Sequence, residues 1–464
     1  MKNKNIYSDL VTVYITNYNY GSYIEEAINS VLDQTYDNFE LIIIDDGSTD
    51  DSKTIINKYI ENSKVRIIFQ ENKGLSVSNN VALKAANGNF IMRLDADDYL
   101  DQNCLLLMVN KINEDNINGM VFPDYYYVDQ SGHITGQERR NNFEKDVILL
   151  DQPAHGACTL IRREFLLEVG GYSNEFDRQD GWDVWLKFIE RYKVKNINLP
   201  LFYYRRHEEN LTNNTQKLLE TRSKIYKKHA EESKKKNLNV LAVLSVRGKT
   251  ISNNSQELSI LGNKPVICWT IDNVLSSSMI QELIISTSDQ EIIDFINTRY
   301  NKSINIVRRE IEKSLENISH EYSLKESIKK RKIDNYDAVM EITPDYPLRN
   351  YFYMEKAINV MRVHDVDRVI GVIPEDSVIY KHNGSGLEMI GNNIFDNKLR
   401  LEREYIYRHT GGISLSKKSY FESKNDIKKK PVQGHIIMSA EASTKVNSKL
   451  ELEIANIIIK NYKQ

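Results

Sequence analysis

Five consecutive residues, "LDADD" at positions 94 to 98, set three carboxylates, Asp95, Asp97 and Asp98, directly after a strongly apolar run. A hard divalent cation that works on phosphates takes one or two carboxylates from the protein and its remaining ligands from phosphate and water. A strand ending in such a cluster suits that task. An acidic turn that caps a following helix looks the same locally, and the five residues alone leave both readings open. A second acidic pair lies in "RQDGWDVW", where Asp180 and Asp183 stand just before or within an amphipathic stretch carrying Trp182, Trp185 and Leu186. A carboxylate placed there can take the proton of a hydroxyl nucleophile, and it can equally cap its own helix.

Chemistry of this kind needs rigid elements that bring distant acids together. From Leu10 the chain alternates apolar runs with amphipathic stretches: "LVTVYI", a helix near Ile24 to Gln34, "FELIIID", a helix near Ser52 to Ile60, "VRIIFQ", a helix near Ser76 to Ala86, and "NFIMRLD". Strands of this apolar density between helices predict a parallel sheet covered on both faces. Ligands bind such sheets beyond the carboxyl ends of the strands. Thr16, Asn17 and Tyr18, then Asp45 and Asp46, then the "LDADD" acids all fall at such ends, so they are expected to share one crevice.

"TQKLLETRSKIYKKHAEESKKKNLN" follows, helical in propensity and increasingly basic. It reads as a closing helix and linker whose lysines are solvated along a surface. A second alternation then begins: "VLAVLSV", a helix from Pro265, "ELIISTS", a helix from Asp289, "INIVRR", a long charged helix, "DAVMEIT", a helix near Tyr353 to Val363, and "DRVIGVI". The expected organisation is a first α/β domain over residues 1–214, a helical linker over 215–238 and a second α/β domain over 239–464. A length of 464 residues agrees with two cores.

Bulk composition narrows the classes. Apolar residues make up 41% and charged residues 27%, and the formal net charge of -3, with lysines dispersed among acids, argues against nucleic-acid binding. Cys104, Cys158 and Cys268 have spacings of neither a disulfide framework nor a zinc site, which predicts buried thiols in a reducing compartment. No apolar stretch near Met1 suits a signal peptide or membrane span, so the expectation is a cytoplasmic protein, with peripheral membrane contact through an acceptor lipid left open.

Taken together, "VTVYITNYNYGSYIEEAINSVLDQTYDNFELIIIDDGSTDDS", "NKGLSVSNN", "NGNFIMRLDADDYLD", "GACTLIRREFLLEVGGY", "DRQDGWDVWLKFIERY" and "YYRRHEENLT" closely resemble the family 2 glycosyltransferases of GT-A fold, over nearly all of residues 8 to 230. The resemblance implies inverting transfer of a sugar from a nucleotide diphosphate donor, usually UDP-linked, to an acceptor hydroxyl, with Mn²⁺ or Mg²⁺. It implies that Thr16, Tyr18 and Asp45 grip the base and ribose, that Asp95 and Asp97 form the metal and ribose motif with Asp97 the favoured ligand, and that His207 adds a metal or phosphate contact. A solvated loop histidine is the alternative for His207. The family often shows Glu-Asp-x-Asp where this chain has Asp180-Gly181-Trp182-Asp183, so Gly181 replaces the usual base. Asp180 is then the first choice as base and Asp183 the second. Ser78 stands where many relatives carry Arg.

Beyond the linker, "LAVLSVRGKTISNNSQELSILGNKPVICWTI", "STSDQEI", "ITPDYPLR", "YRHTGG" and "KLELEIA" resemble the CMP-sugar synthetases, cytidylyltransferases acting on acidic sugars. The resemblance covers about residues 239 to 464. The family's triphosphate-binding machinery is altered: its loop lysine aligns with Ile251, its Lys-Asn pair with Gln256 and Glu257, and its Asp-Ile-Asp metal motif with Lys445, Val446 and Asn447. Arg247, Lys249, Arg349 and Arg408 remain as candidates for a nucleotide or acidic sugar, or as ordinary surface arginines and lysine in ion pairs.

Two Rossmann-like α/β domains in series are thus expected, a GT-A domain followed by a cytidylyltransferase-like one. The leading functional reading is a glycosyltransferase acting on a glycan or lipid-linked acceptor in surface polysaccharide assembly, with an impaired second domain and a homodimer as the expected state. A bifunctional transferase and CMP-sugar synthetase, and a non-catalytic nucleotide- or glycan-binding scaffold, are the alternatives.

Overall fold

A computed structural model describes residues 9–138, 154–207, 215–249, 252, 254–302, 304–311, 320–331, 334–375, 379–389, 406–422 and 431–461. The chain divides into two compact units, Met1–Arg222 with Lys381–Glu404, and Ser223–Tyr380 with Tyr405–Gln464.

In the first unit the apolar runs form β1 (Val11–Asn17), β2 (Phe39–Asp45), β3 (Val65–Phe69) and β4 (Phe90–Asp95), joined by α1 (Gly21–Leu32), α2 (Ser52–Asn57) and α3 (Leu75–Ala85). Further along come β5 (Tyr99–Leu100), α4 (Cys104–Ile112), β6 (Asn118–Val128), β7 (Ile134–Glu138), β8 (Leu160–Arg162), α5 (Arg163–Glu168), α6 (Asp180–Ile189) and β9 (Lys193–Arg205). One sheet holds them in the order β3-β2-β1-β4-β8-β6-β9-β5, with β7 paired to β6. The first four strands are mutually parallel, as their apolar density predicts. The remainder, beyond those apolar runs, is mixed: β8 runs antiparallel to both β4 and β6, and β5 antiparallel to β9. Strands rich in Tyr and Asn carry a weaker pattern than the Ile and Val runs, so only the first half of the sheet stands out in the sequence.

Register does the positioning. Thr16 lies beside Asp95, and Asn17 beside Asp45, so the ends of three adjacent strands meet along one edge. Beneath that edge Val13, Ile15, Leu41, Ile43, Met92 and Leu94 pack with Ile24, Ile28 and Val31 of α1 and Leu105, Met108 and Val109 of α4, all buried. Each such side chain contributes about 2 kcal/mol of hydrophobic stabilisation, which makes the edge a rigid platform.

The second unit has a seven-stranded sheet in the order Asn305–Arg308, Ile280–Thr287, Val240–Val246, Ala338–Ile342, Tyr407–Lys417, Arg368–Pro374 and Gln433–Ile437. It too is mixed, because Tyr407–Lys417 runs antiparallel to both its neighbours. Asp289 begins the helix Gln290–Arg299 as its N-cap, accepting from the Ile292 amide at 3.3 Å. Cys104, Cys158 and Cys268 are all buried free thiols. Among the described residues no helix is long and apolar enough to cross a membrane.

Candidate active site

The acids of "LDADD" do not cap a helix. The chain leaves them into β5, and the next helix, α4, starts only at Cys104 with no side-chain cap. Instead the turn is built around Arg205 at the end of β9, a wholly buried guanidinium. Its Nε donates to the Asp97 carbonyl at 2.9 Å, its terminal nitrogens reach the Asp129 and Gln130 carbonyls and the Glu26 carboxylate, and its own amide donates to Asp98 Oδ1 at 2.8 Å. Burial, with Asp97 and Asp95 adding to it, pushes the Asp98 carboxyl well above the ordinary range. Asp98 is thus an internal strut, whereas Asp95 and Asp97 look outward to different partners.

Two residues beyond Arg205, the imidazole Nε2 of His207 lies 2.9 Å from Asp97 Oδ2. The ring stacks on Tyr23 with centroids 5.7 Å apart and meets the edge of Tyr20 at 5.6 Å, and its side chain is 5% exposed. The solvated-loop alternative for His207 is therefore wrong. Imidazole nitrogen beside carboxylate oxygen is a donor pair that fits Mn²⁺ or Mg²⁺, with phosphate oxygens completing the set. Among the described residues no three His, Cys, Asp or Glu side chains converge as a ready-made metal site.

Asp95 pairs with Arg93, two residues earlier on the same face of β4, at 3.0 Å from Nε. Burial raises the Asp95 carboxyl to about 6, with Asp97 adding to the shift and Arg93 opposing it. The other arm of the Arg93 guanidinium binds Asp180 Oδ2, which also accepts from Asn79 Nδ2 at 2.8 Å. Asp180 is the first residue of α6, and Gln179, in the left-handed region at φ 60°, precedes it as N-cap with no side-chain bond. The capping alternative for Asp180 accordingly falls away. Among the described residues both its bonds fall on Oδ2, leaving Oδ1 for a further partner. Asp183 is wholly buried one turn on and bound to Lys187 Nζ at 2.5 Å. Its carboxylate is engaged by that lysine.

Gly181 has a packing reason. A Cβ there would lie 3.0 Å from the Gly156 Cα, and a Cβ on Gly156 would lie 2.5 Å from the Arg93 guanidinium. The bare backbone at 156 lies against the arginine, and a Cβ at 181 would press on that backbone.

At the donor end Tyr18 is 46% exposed, open to stack on a flat ring, and Thr16 is partly buried at the strand end. Asp45 behaves otherwise than expected. It is fully buried, with Oδ2 accepting from Asn17 at 2.8 Å and Oδ1 from the Ser48 amide at 3.0 Å. Its carboxylate is occupied in holding the β1 and β2 ends, so it shapes the pocket without facing a ligand. Asp46, placed with Asp45 at the end of β2 by the residue pattern, does the same for the next loop, accepting from the amides of Lys73 and Gly74 at 2.9 and 2.8 Å and from Gln70. Gly47, the next residue, at φ 82°, approaches the Asn72 amide so closely that a Cβ would lie 2.8 Å from it. Ser78, at the position of the missing arginine, accepts from Gln70 at 3.0 Å.

Residues 12–170 match the family described as Glycosyl transferase family 2. An uncharacterized glycosyltransferase of Rickettsia prowazekii (strain Madrid E) is 30% identical over 225 residues, which cover 47% of this chain and 70% of that protein. The chain belongs to glycosyltransferase family 2. The chondroitin synthase of Pasteurella multocida (strain Pm70) is 30% identical over 191 residues, 41% of this chain but only 20% of that larger protein. Among solved structures, S. aureus TarS 1-349 in complex with UDP-GlcNAc aligns at 21% identity and a TM-score of 0.41, over 47% of this chain and 66% of that one. Residues 256–369 match the Cytidylyltransferase family. The protein is therefore a glycosyltransferase with a cytidylyltransferase-like second part.

In that second part the expected nucleotide ligands are engaged elsewhere. Arg349 is 1% exposed and donates to the carbonyls of Gly411, Gly412 and Thr343 and to Thr270 Oγ1; burial lowers it to about 10. It ties strands together and offers nothing to a ligand, which corrects its place among the candidates. Arg408 pairs with Glu375 at 3.1 Å and Lys249 lies 3.6 Å from Glu291, both on the surface. Arg247 follows the strand Val240–Val246 directly, beside the buried Arg309. Ile251 lies outside the described residues. Glu257, in the place of the family's Lys-Asn pair, accepts from the Gly248 amide at 3.4 Å and from Ser255. Lys445, in the place of the metal motif, lies 3.6 Å from Asp345.

Proposed function

We propose that the first unit transfers a sugar, with inversion, from a nucleotide diphosphate donor, UDP-linked in the first instance, to a hydroxyl of a glycan or lipid-linked acceptor in surface polysaccharide assembly. The observation that carries this reading is the pairing of His207 with Asp97, just after the Arg93 and Asp95 pair of β4 that also engages Asp180. Tyr18 stacks on the base and Thr16 meets the ribose. Asp97 and His207 would hold a Mn²⁺ or Mg²⁺ ion, which would supply charge neutralisation at the leaving group. Asp180 takes the acceptor proton on Oδ1 while Asn79 and Arg93 keep its other oxygen fixed.

The second unit serves as a non-catalytic partner. A carboxylate on the Gly248 amide, where phosphate would sit, and an ammonium in the metal motif both oppose a triphosphate and its cation.

Release of nucleoside diphosphate from a panel of UDP- and GDP-sugars, with Mn²⁺ or with EDTA, tests the transferase reading in the whole protein. Mn²⁺-dependent release that Asp97→Ala and Asp180→Asn each slow by about 100-fold or more is the expected result. Release unaffected by either substitution would overturn the residue assignments, and no release from any donor would overturn the reading itself.

A further inference from the structure

Arg93 is 5% exposed, and among the described residues it alone touches both carboxylates that matter most to the proposed reaction. Asp95 belongs to the donor side and Asp180 to the acceptor side, 85 residues apart on β4 and α6, and one planar guanidinium meets both. Nε faces Asp95 Oδ1 at 3.0 Å, and a terminal nitrogen binds Asp180 Oδ2. The rest of its surroundings leave it no freedom: Gly156 covers it on one side, and Tyr14 of β1 and Tyr172 lie within its electrostatic reach. Tyr14 and Tyr172 hydroxyls are themselves bonded at 3.1 Å, and Tyr14 also reaches Asn79, the second clamp on Asp180.

The site gathers Asp95, Asp97, Asp98 and Asp180, and like charges so placed repel one another. A fixed fork between two of them opposes that repulsion and sets their spacing. A lysine could neutralise the charge, but as a point donor it could not hold both groups in one plane.

We propose that Arg93 is a positioning residue for the glycosyl transfer, locking the acceptor-side carboxylate Asp180 to the donor-side carboxylate Asp95 at a fixed separation. This rests on the reading of Asp180 as the base. Arg93 touches neither reacting atom in that scheme; it acts through the two acids.

A double-substitution cycle in the whole protein tests it, with Mn²⁺-dependent release of nucleoside diphosphate from the most active donor of the panel as the rate, and calorimetric binding of UDP with Mn²⁺ as the independent measurement. Arg93→Gln should slow turnover about 100-fold, and Arg93→Gln with Asp180→Asn should be no slower than Asp180→Asn alone, since residues acting as one unit are not additive. Arg93→Lys retains the buried charge and guards against a variant that fails to fold; it should restore UDP binding to within about threefold while leaving turnover at least tenfold down. Losses that multiply in the double variant, or wild-type turnover in Arg93→Lys, would overturn the proposal. Full turnover in Asp180→Asn would instead overturn the base assignment, a separate outcome.

Discussion

His207 Nε2 and Asp97 Oδ2 lie 2.9 Å apart although 110 residues separate them in the chain. Arg205 makes the meeting: it anchors the end of β9 to the carbonyl of Asp97 itself, and the next turn of chain delivers the imidazole. The pair is ready before any ligand arrives, and the first predictions follow from it.

Asp97→Ala should abolish Mn²⁺-dependent donor turnover, by about 100-fold or more, since a lost Lewis-acid site is worth several kcal/mol. The fold should survive, because the turn hangs from backbone contacts to Arg205, and circular dichroism should match the parent. Unchanged turnover in the purified variant would remove the metal assignment.

Asp183→Asn should act on stability and not on chemistry. It strands the Lys187 ammonium against a buried amide, and breaking one partner of a buried pair costs about 3 kcal/mol. Denaturant unfolding should show the loss, whereas kcat per folded molecule should stay within about threefold of the parent, well inside what loss of a general base would produce. A selective fall in kcat would return Asp183 to the list of bases.

Gly181→Asp, which restores the acid that the family often carries there, should impair the enzyme. Its Cβ would press on the Gly156 backbone at 3.0 Å, and the displacement would reach Arg93 beneath. Overpacking of this kind costs about 1–3 kcal/mol, and a variant more active than the parent would show that the backbone yields.

The second unit should lose stability in mild acid. Burial, with His435 and Lys235 nearby, lowers the His364 imidazole to about 4, and burial lowers His435 as well. An unfolded histidine binds its proton near pH 6.5, so between there and about pH 4 the unfolded state takes up protons that the native state refuses. The stabilisation is therefore complete above pH 6.5 and disappears as the pH falls, by about 2–3 kcal/mol for His364. Melting followed at pH 7 and 5 should show it, and His364→Phe should flatten the dependence.

CTP with Mg²⁺, titrated calorimetrically into the whole protein already saturated with UDP and Mn²⁺, should give no binding heat. Tight binding would show that Glu257 and Lys445 yield to the triphosphate.

The strand ends and the acids on them were readable because two signals coincide there: dense Ile and Val runs, and carboxylates just where each run stops. Asp95, Asp97 and Asp180 followed from that pattern and from the family resemblance. Asp45 did not behave as read, since a sequence cannot say that Asn17 and the Ser48 amide would consume both its oxygens. Arg93 carried no signal at all; it looks like a charge interrupting an apolar strand until Asp180 arrives from 87 residues downstream. Likewise Arg349 looked like a ligand arginine, and only the carbonyls that turn toward it reveal a brace.

The approach of Gly181 to Gly156 also couples two places in the chain. A side chain at 181 would press on the backbone around 156, and a Cβ at 156 would itself meet the Arg93 guanidinium. Substitutions at the two glycines should therefore not act independently, and their effects on turnover should fail to add.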